Sequence, residues 1–210
     1  NSNDLTQPAI LKMMAMGGEG TIIERLKQLH IVPLAISYEY DPCDYLKARE
    51  YQLRRDLPYW KKTAEDDLES MLVGIKGYKG HIFYKCAPCI DEWLDTVDEE
   101  LPKNKLFDTI AAHIDHQIHS NYKLYPINYV ALDMIQDTRV YEEYYTVEDY
   151  QNFNTYLDGQ IEKIDIENRD DKFLRTCLLT QYAYPAKNYI AASSESGRFK
   201  SLLNRLTFKK

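Results

Sequence analysis

The sequence predicts a mostly helical α/β chain, and three observations carry that prediction. The run Ile31 to Tyr40 (I-V-P-L-A-I-S-Y-E-Y) is short, apolar and rich in branched residues, the pattern of a buried strand. Asp41-Pro42-Cys43-Asp44 follows it directly and reads as a helix start, with Asp41 at the N-cap, Pro42 at N1 and Asp44 favouring the helix dipole. Strands are few. Beyond 31–38, the clear case is His81 to Cys86 (H-I-F-Y-K-C), against eight or nine helical segments. That balance is too poor in strands for a free-standing doubly wound sheet, so both strands are expected to pair with strands outside this chain.

The elements follow in order. Residues 7–16 have helix formers after an early proline, and Gly17-Gly18-Glu19-Gly20 ends them. Thr21 caps the next helix to about Leu29, with Glu24 completing a capping box. Pro33 cannot donate a ladder hydrogen bond, so it belongs at an edge, a bulge or the start of its strand. The helix after it runs to about Arg55 and stops at Leu57-Pro58. Thr63 caps another, with Asp66 at N3. Leu68, Met71, Leu72 and Ile75 fall on one apolar stripe of that helix. Gly77 to Gly80 makes a turn into the second strand. Asp91 to Glu100 reads as a short exposed helix. A longer one from Lys105 to Asn121 buries Leu106, Phe107, Ile110, Ala111, Ile114 and Ile118. Leu124 to Asp137 is helical with Pro126 near its start, and Thr146-Val147-Glu148-Asp149 opens a helix to about Ile164. Asp170 and Asp171 open another, which Pro185 is expected to stop at Tyr184, leaving a weak final helix over 186–208.

Composition bounds the function. The net charge of −7 over 210 residues disfavours general binding of nucleic acid. A local basic patch exists at the C-terminus, in Arg198, Lys200, Arg205, Lys209 and Lys210. There is no apolar run long enough to span a bilayer and no signal-peptide pattern. Four cysteines do not make a disulfide scaffold, and a reduced state is expected. The 18 tyrosines, against 6 phenylalanines, suit half-buried helix packing with wet hydroxyls, or a partner or membrane-interface surface.

The segment Val32-Pro33-Leu34-Ala35-Ile36, arriving after an amphipathic helix, resembles the fourth conserved block of the glycerolipid (lysophospholipid) acyltransferases, a V-P-V-x-I-type strand end. Ile31 to Glu50 and Asp115 to Ala131 (D-H-Q-I-H-S-N-Y-K-L-Y-P-I-N-Y-V-A) look like a bacterial branch of that family with a long C-terminal extension. The resemblance covers most of the chain. It implies a C-terminal part of a layered acyltransferase domain over 1–90 and a helical extension over 91–210. It implies an acyl thioester donor, acyl-CoA or acyl-carrier protein, and a lysophospholipid or glycerol-phosphate-like acceptor. It also implies action at the cytoplasmic face of the inner membrane, with no metal or tightly held cofactor. Val32, Pro33, Leu34, Ile36, Ser37 and Tyr38 would line the cleft where donor and acceptor meet, with Ser37 or Tyr38 as a polar tip at its mouth. The plainer reading of the same residues is a core strand with an edge proline.

The family's H-x-x-x-x-D signature, in which His deprotonates the acceptor hydroxyl and Asp orients the imidazole, is absent. Five residues beyond His30, His81, His113, His116 and His119 stand Ala35, Cys86, Ile118, Asn121 and Leu124. Glu19-Gly20-Thr21 mimics the phosphate-binding E-G-T run, but Ile22 and Ile23 follow it in place of Arg and Ser. The chain therefore reads as lacking the catalytic half and as inactive alone.

Other constellations read as structural. Cys86-Ala87-Pro88-Cys89 has zinc or redox spacing but is read as a turn with two inert thiols. His113, His116 and His119 are read as a solvated polar face. Tyr141 to Tyr145 (Y-E-E-Y-Y) is a packing edge or a partner contact. The alternative to an acyltransferase portion is a non-catalytic helical interaction module, presenting the tyrosine-rich acidic surface after about residue 90.

Overall fold

A computed structural model describes residues 3 and 5–207, with side chains described to 194. It is 60% helical and 5% strand. In chain order it holds α1 (Pro8–Met14), α2 (Ile22–Lys27), β1 (Leu34–Tyr38), α3 (Asp44–Asp56), α4 (Ala64–Lys76), β2 (Ile82–Cys86) and α5 (Asp91–Leu94). Then come α6 (Lys103–His119), α7 (Pro126–Gln136), a 3₁₀ turn (Glu142–Tyr144), α8 (Val147–Glu162) and α9 (Asp171–Thr207). The strands pair with each other, antiparallel, with Ile36 opposite Tyr84. They form the only sheet among the described residues.

Local chemistry sets the helix starts. Thr21, Thr63 and Thr146 each accept a backbone N–H three residues on, and Glu24, Asp66 and Asp149 reciprocate. The start of α3 differs from expectation. Asp41 Oδ1 accepts the Cys43 N–H at 2.9 Å, which folds Asp41 to Cys43 into an Asx turn, so the helix begins at Asp44. Pro185 does not stop α9. The helix passes through it because Tyr182, Ala183 and Ala186 are buried on both sides of the proline. Burial of this kind offsets the ~3 kcal/mol that an interior proline costs. Asn128 Nδ2 donates to the Tyr182 carbonyl in that same turn at 2.9 Å.

Among the described residues two clusters of side chains are filled. The larger gathers Val130, Phe153, Leu157, Leu174 and Leu178, together with Ala48 of α3. Here α9 lies along α7 and also touches α3, α6 and α8. The second joins Leu11 and Leu26 of α1 and α2 to Ile90, Leu94, Phe107 and Ile110. Each cluster draws on residues from both sides of position 90.

The β ribbon departs from the buried strand expected at 31–38. Pro33, Ala35 and Ser37 point inward, while Leu34, Ile36 and Tyr38 are exposed. Partners across an antiparallel ladder share a face, so Cys86, Tyr84 and Ile82 lie beside them, and all of β2 is exposed. The missing ingredient is a second layer: among the described residues nothing packs over the outer ribbon face. The α4 stripe shows the same inversion. Leu68, Met71, Leu72 and Ile75 face outward, and Ile75 is 74% exposed. The side of α4 toward the protein carries Asp66, Ser70, Val73 and Gly74. Small and polar residues face inward because α4 is fastened by polar contacts. Arg49 pairs with Asp66 at 2.6 Å, and the Cys43 thiol donates to the Ser70 carbonyl at 3.3 Å.

His119 corrects the reading of a solvated histidine face. It is 8% exposed, stacked at a tilt on Tyr122 with 5.4 Å between rings, because α9 covers that side of α6. Leu94 is fully buried, so α5 is not the exposed helix expected over Asp91 to Glu100. The basic patch of Arg198, Lys200, Arg205, Lys209 and Lys210 lies outside the described side chains. Among the described residues no helix is long and apolar enough to cross a membrane.

Candidate functional site

A cleft of about 540 Å³ opens where β1 meets α3, the Tyr122-Lys123 turn and the middle of α9. The end of the Pro33 strand forms one wall, through Ile36, Ser37 and Tyr38. Of the six residues expected at an acyl cleft, these three line it. Val32, Pro33 and Leu34 do not: Val32 is exposed, Pro33 is buried before the strand begins, and Leu34 lies farther down the outer ribbon face. The position of Pro33 follows from its missing N–H. It sits just ahead of β1 and contributes only its carbonyl, which accepts the Ala87 N–H at 2.8 Å.

The polar tips behave differently from each other. Ser37 Oγ accepts the Lys123 N–H at 3.0 Å, so it fastens the α6–α7 turn rather than offering a free hydroxyl. The Tyr38 hydroxyl shares a hydrogen bond with Tyr84 across the ribbon, which pushes its pKa up. Three cations, Lys47 and Arg54 of α3 and Lys123, line the same cleft, together with the acids Asp41 and Glu50. Lys47 pairs with Asp41 at 2.6 Å, and Arg54 with Glu50 at 2.5 Å. Both pairs are half-exposed, so each costs little to open.

Beneath the cleft lies a buried polar group that links three helices. Asp44 is fully buried at the start of α3. Its Oδ2 accepts the hydroxyls of Tyr156 and Tyr182, both at 2.7 Å, and its Oδ1 accepts the Tyr45 N–H at 2.6 Å. The Tyr182 hydroxyl in turn accepts the Asp41 N–H at 3.1 Å. Burial pushes the Asp44 carboxyl up to about 6, although the two tyrosine hydrogen bonds oppose the shift. The same burial, with Asp44 alongside, holds both tyrosines well above their ordinary range. Asp44 does not line the cleft. Tyr182 does, so the carboxylate positions that ring and ties α3 to α8 and α9.

Nothing in the sequence marked this group. Asp44 looked like a dipole-favouring acid at a helix start, and its two partners lie more than a hundred residues away. Lys123 and Arg54 were equally silent. The Tyr141 to Tyr145 run is a packing edge in the structure: Tyr144 stacks on Tyr129 at 4.5 Å, and the Tyr145 hydroxyl donates to Asp133 at 3.0 Å.

Chemically, the cleft holds three cations, two of them paired with Asp41 and Glu50, beside apolar strand residues whose face continues onto the open ribbon. That combination suits a ligand with an anionic head and an apolar tail. Comparison with protein-family models, with curated proteins and with solved structures finds no match to this chain.

Proposed function

We propose that this chain is the C-terminal part of a layered acyltransferase domain over 1–90, with a helical extension over 91–210 packed on it so that the two share both apolar clusters. The intact enzyme transfers an acyl group from acyl-CoA or acyl-carrier protein to a lysophospholipid or glycerol-phosphate-like acceptor, peripherally at the cytoplasmic face of the inner membrane. One observation supports the reading above the others. The residues Ile36, Ser37 and Tyr38, taken from the stretch that resembles the family's fourth block, line one cleft with Lys47, Arg54 and Lys123. In this reading the cations take the acceptor's phosphate, and the apolar face of Leu34, Ile36, Ile82 and Tyr84 takes the fatty tail. The reactive imidazole belongs to polypeptide outside these 210 residues, since no histidine here has an aspartate five positions on.

The test is thiol release from acyl-CoA in the presence of lysophosphatidate, by this chain alone and joined to an upstream segment carrying H-x-x-x-x-D. The joined protein should turn over and the chain alone should not. Joining Arg54→Ala with Lys123→Ala should raise KM for the phosphorylated acceptor by about tenfold or more, the loss of charge-assisted hydrogen bonds worth ~1.5–3 kcal/mol each. Robust turnover by the 210 residues alone refutes both the fragment reading and the mechanism.

A non-catalytic interaction module is the second reading, and the outward stripe of α4 favours it. Capture of a protein partner by a joined protein that shows no thiol release would select it.

A further inference from the structure

The loop that leaves β2 folds back along the loop that enters β1. Ala87 N–H donates to the Pro33 carbonyl at 2.8 Å and Ile90 N–H to the Ile31 carbonyl at 3.0 Å. The span 87–90 holds one residue more than 31–33, the count of a β-bulge, a device that re-aims side chains. Cys89 lies within that span.

Opposite stands His30, in the left-handed region with φ 47°. Few residues other than glycine adopt that conformation. It brings Nδ1 to 2.6 Å from Asp91 Oδ2. The Cys89 thiol stands beside the same carboxylate. One donor atom from each of His30, Cys89 and Asp91 lies within 4.8 Å of the other two. The second carboxylate oxygen, Asp91 Oδ1, is buried and has no hydrogen-bond partner among the described residues. An orphaned carboxylate oxygen is costly, and a cation would answer it.

We propose that His30 Nδ1, Cys89 Sγ and the Asp91 carboxylate bind one zinc ion, with the fourth position left to water. The donor set selects the metal. Calcium and magnesium take oxygen ligands, while a mixture of imidazole, thiolate and carboxylate suits zinc. The spacing fits as well. Zinc bonds of about 2.0–2.3 Å set tetrahedral neighbours roughly 3.3–3.8 Å apart, inside the 4.8 Å envelope. The His30–Asp91 hydrogen bond opens to admit the ion, and His30, with 78% of its side chain exposed, is free to swing. Cys86 is not a ligand. It lies within β2 opposite Leu34, on the outer ribbon face. The ion would staple the exit of α2 to the entry of α5, where the ribbon joins the cluster of Leu26, Ile90 and Leu94. This site is independent of the acyl-transfer reading.

The test uses the 210-residue chain, stripped with chelator and then titrated with zinc alone, and with cobalt as a spectroscopic stand-in. The wild-type chain should take up about one ion, and its cobalt form should show a thiolate charge-transfer band. Cys89→Ser and His30→Asn should each weaken zinc binding by at least about tenfold. Asparagine tolerates the left-handed backbone, so His30→Asn keeps the fold, and its metal-free melting temperature should match the wild type. Cys86→Ser should bind as the wild type does. Failure of the wild-type chain to hold zinc at micromolar concentration overturns the proposal. So does His30→Asn binding undiminished, or Cys86→Ser losing the ion, which would assign it to the thiol pair instead.

Discussion

The layer of α7, α8 and α9 and the β ribbon with α4 use the same kinds of residue to opposite ends. In the helical layer, periodic apolar residues meet each other: Phe153, Leu157, Leu174 and Leu178 are all fully buried. In the ribbon and α4 the pattern is equally regular, yet Leu68, Met71, Ile75, Ile82 and Tyr84 face outward. The difference lies in what stands opposite. A helix stripe stabilises a fold only where a complementary surface covers it, and among the described residues the first region has one while the second does not. An exposed apolar face of this kind marks a surface that expects cover. Within the proposed function, that cover is the remainder of the acyltransferase domain and the lipid itself.

Five substitutions sharpen or break the contrast. The largest effect should come from Phe153→Ala, which empties the middle of the filled layer and should cost about 3–5 kcal/mol in denaturant unfolding. A cost under about 1 kcal/mol would mean that the layer is loosely packed.

Next is the buried Asp44. Its folded pKa, about 6, stands above its unfolded value, so folding favours the protonated form. The resulting stabilisation is full below the unfolded pKa and is lost as pH rises through about 6. Asp44→Asn should remove that dependence, worth up to about 3 kcal/mol between acid and neutral pH. An unchanged pH profile in the variant would assign the titration elsewhere.

Third, the capping threonines test how each region is anchored. Thr146→Ala should lower global stability by about 1 kcal/mol. Thr63→Ala, at the same kind of capping box on α4, should instead raise amide exchange within α4 and leave the global transition nearly in place. Equal global losses would make α4 part of the cooperative core.

The smallest effect should be Ile75→Ser. In the isolated chain it should shift stability by no more than about 0.5 kcal/mol, a value that a buried isoleucine could not show.

What the sequence made legible follows the range of the interactions. Capping boxes at Thr21, Thr63 and Thr146 close over three residues, and all three form. The buried face of α6 was readable from Leu106 to Ile114 for the same reason. Pro33 was readable because its missing N–H restricts it wherever it falls. The failures are of longer range. Pro185 sits inside α9 because neighbouring helices hold that helix together, and no local rule contains them. His119 is buried by a helix some seventy residues away in sequence (Asn188 Nδ2 approaches its ring at 3.4 Å). The Asp44, Tyr156 and Tyr182 group assembles three helices, so no spacing announces it. In the ribbon, apolar character foretold a strand but not its exposure, since burial depends on a second layer. At the cleft, the strand end was legible and the cations that share it were not.

The most direct measurement is amide hydrogen exchange on this chain, alone and joined to a segment carrying H-x-x-x-x-D as the proposed function requires. If the ribbon and α4 are an unfinished half of a larger domain, exchange in Leu34–Tyr38, Ile82–Cys86 and Ala64–Lys76 should slow sharply on joining. The α7, α8 and α9 layer should exchange as before. Identical protection of the ribbon and α4 in both proteins would contradict the account.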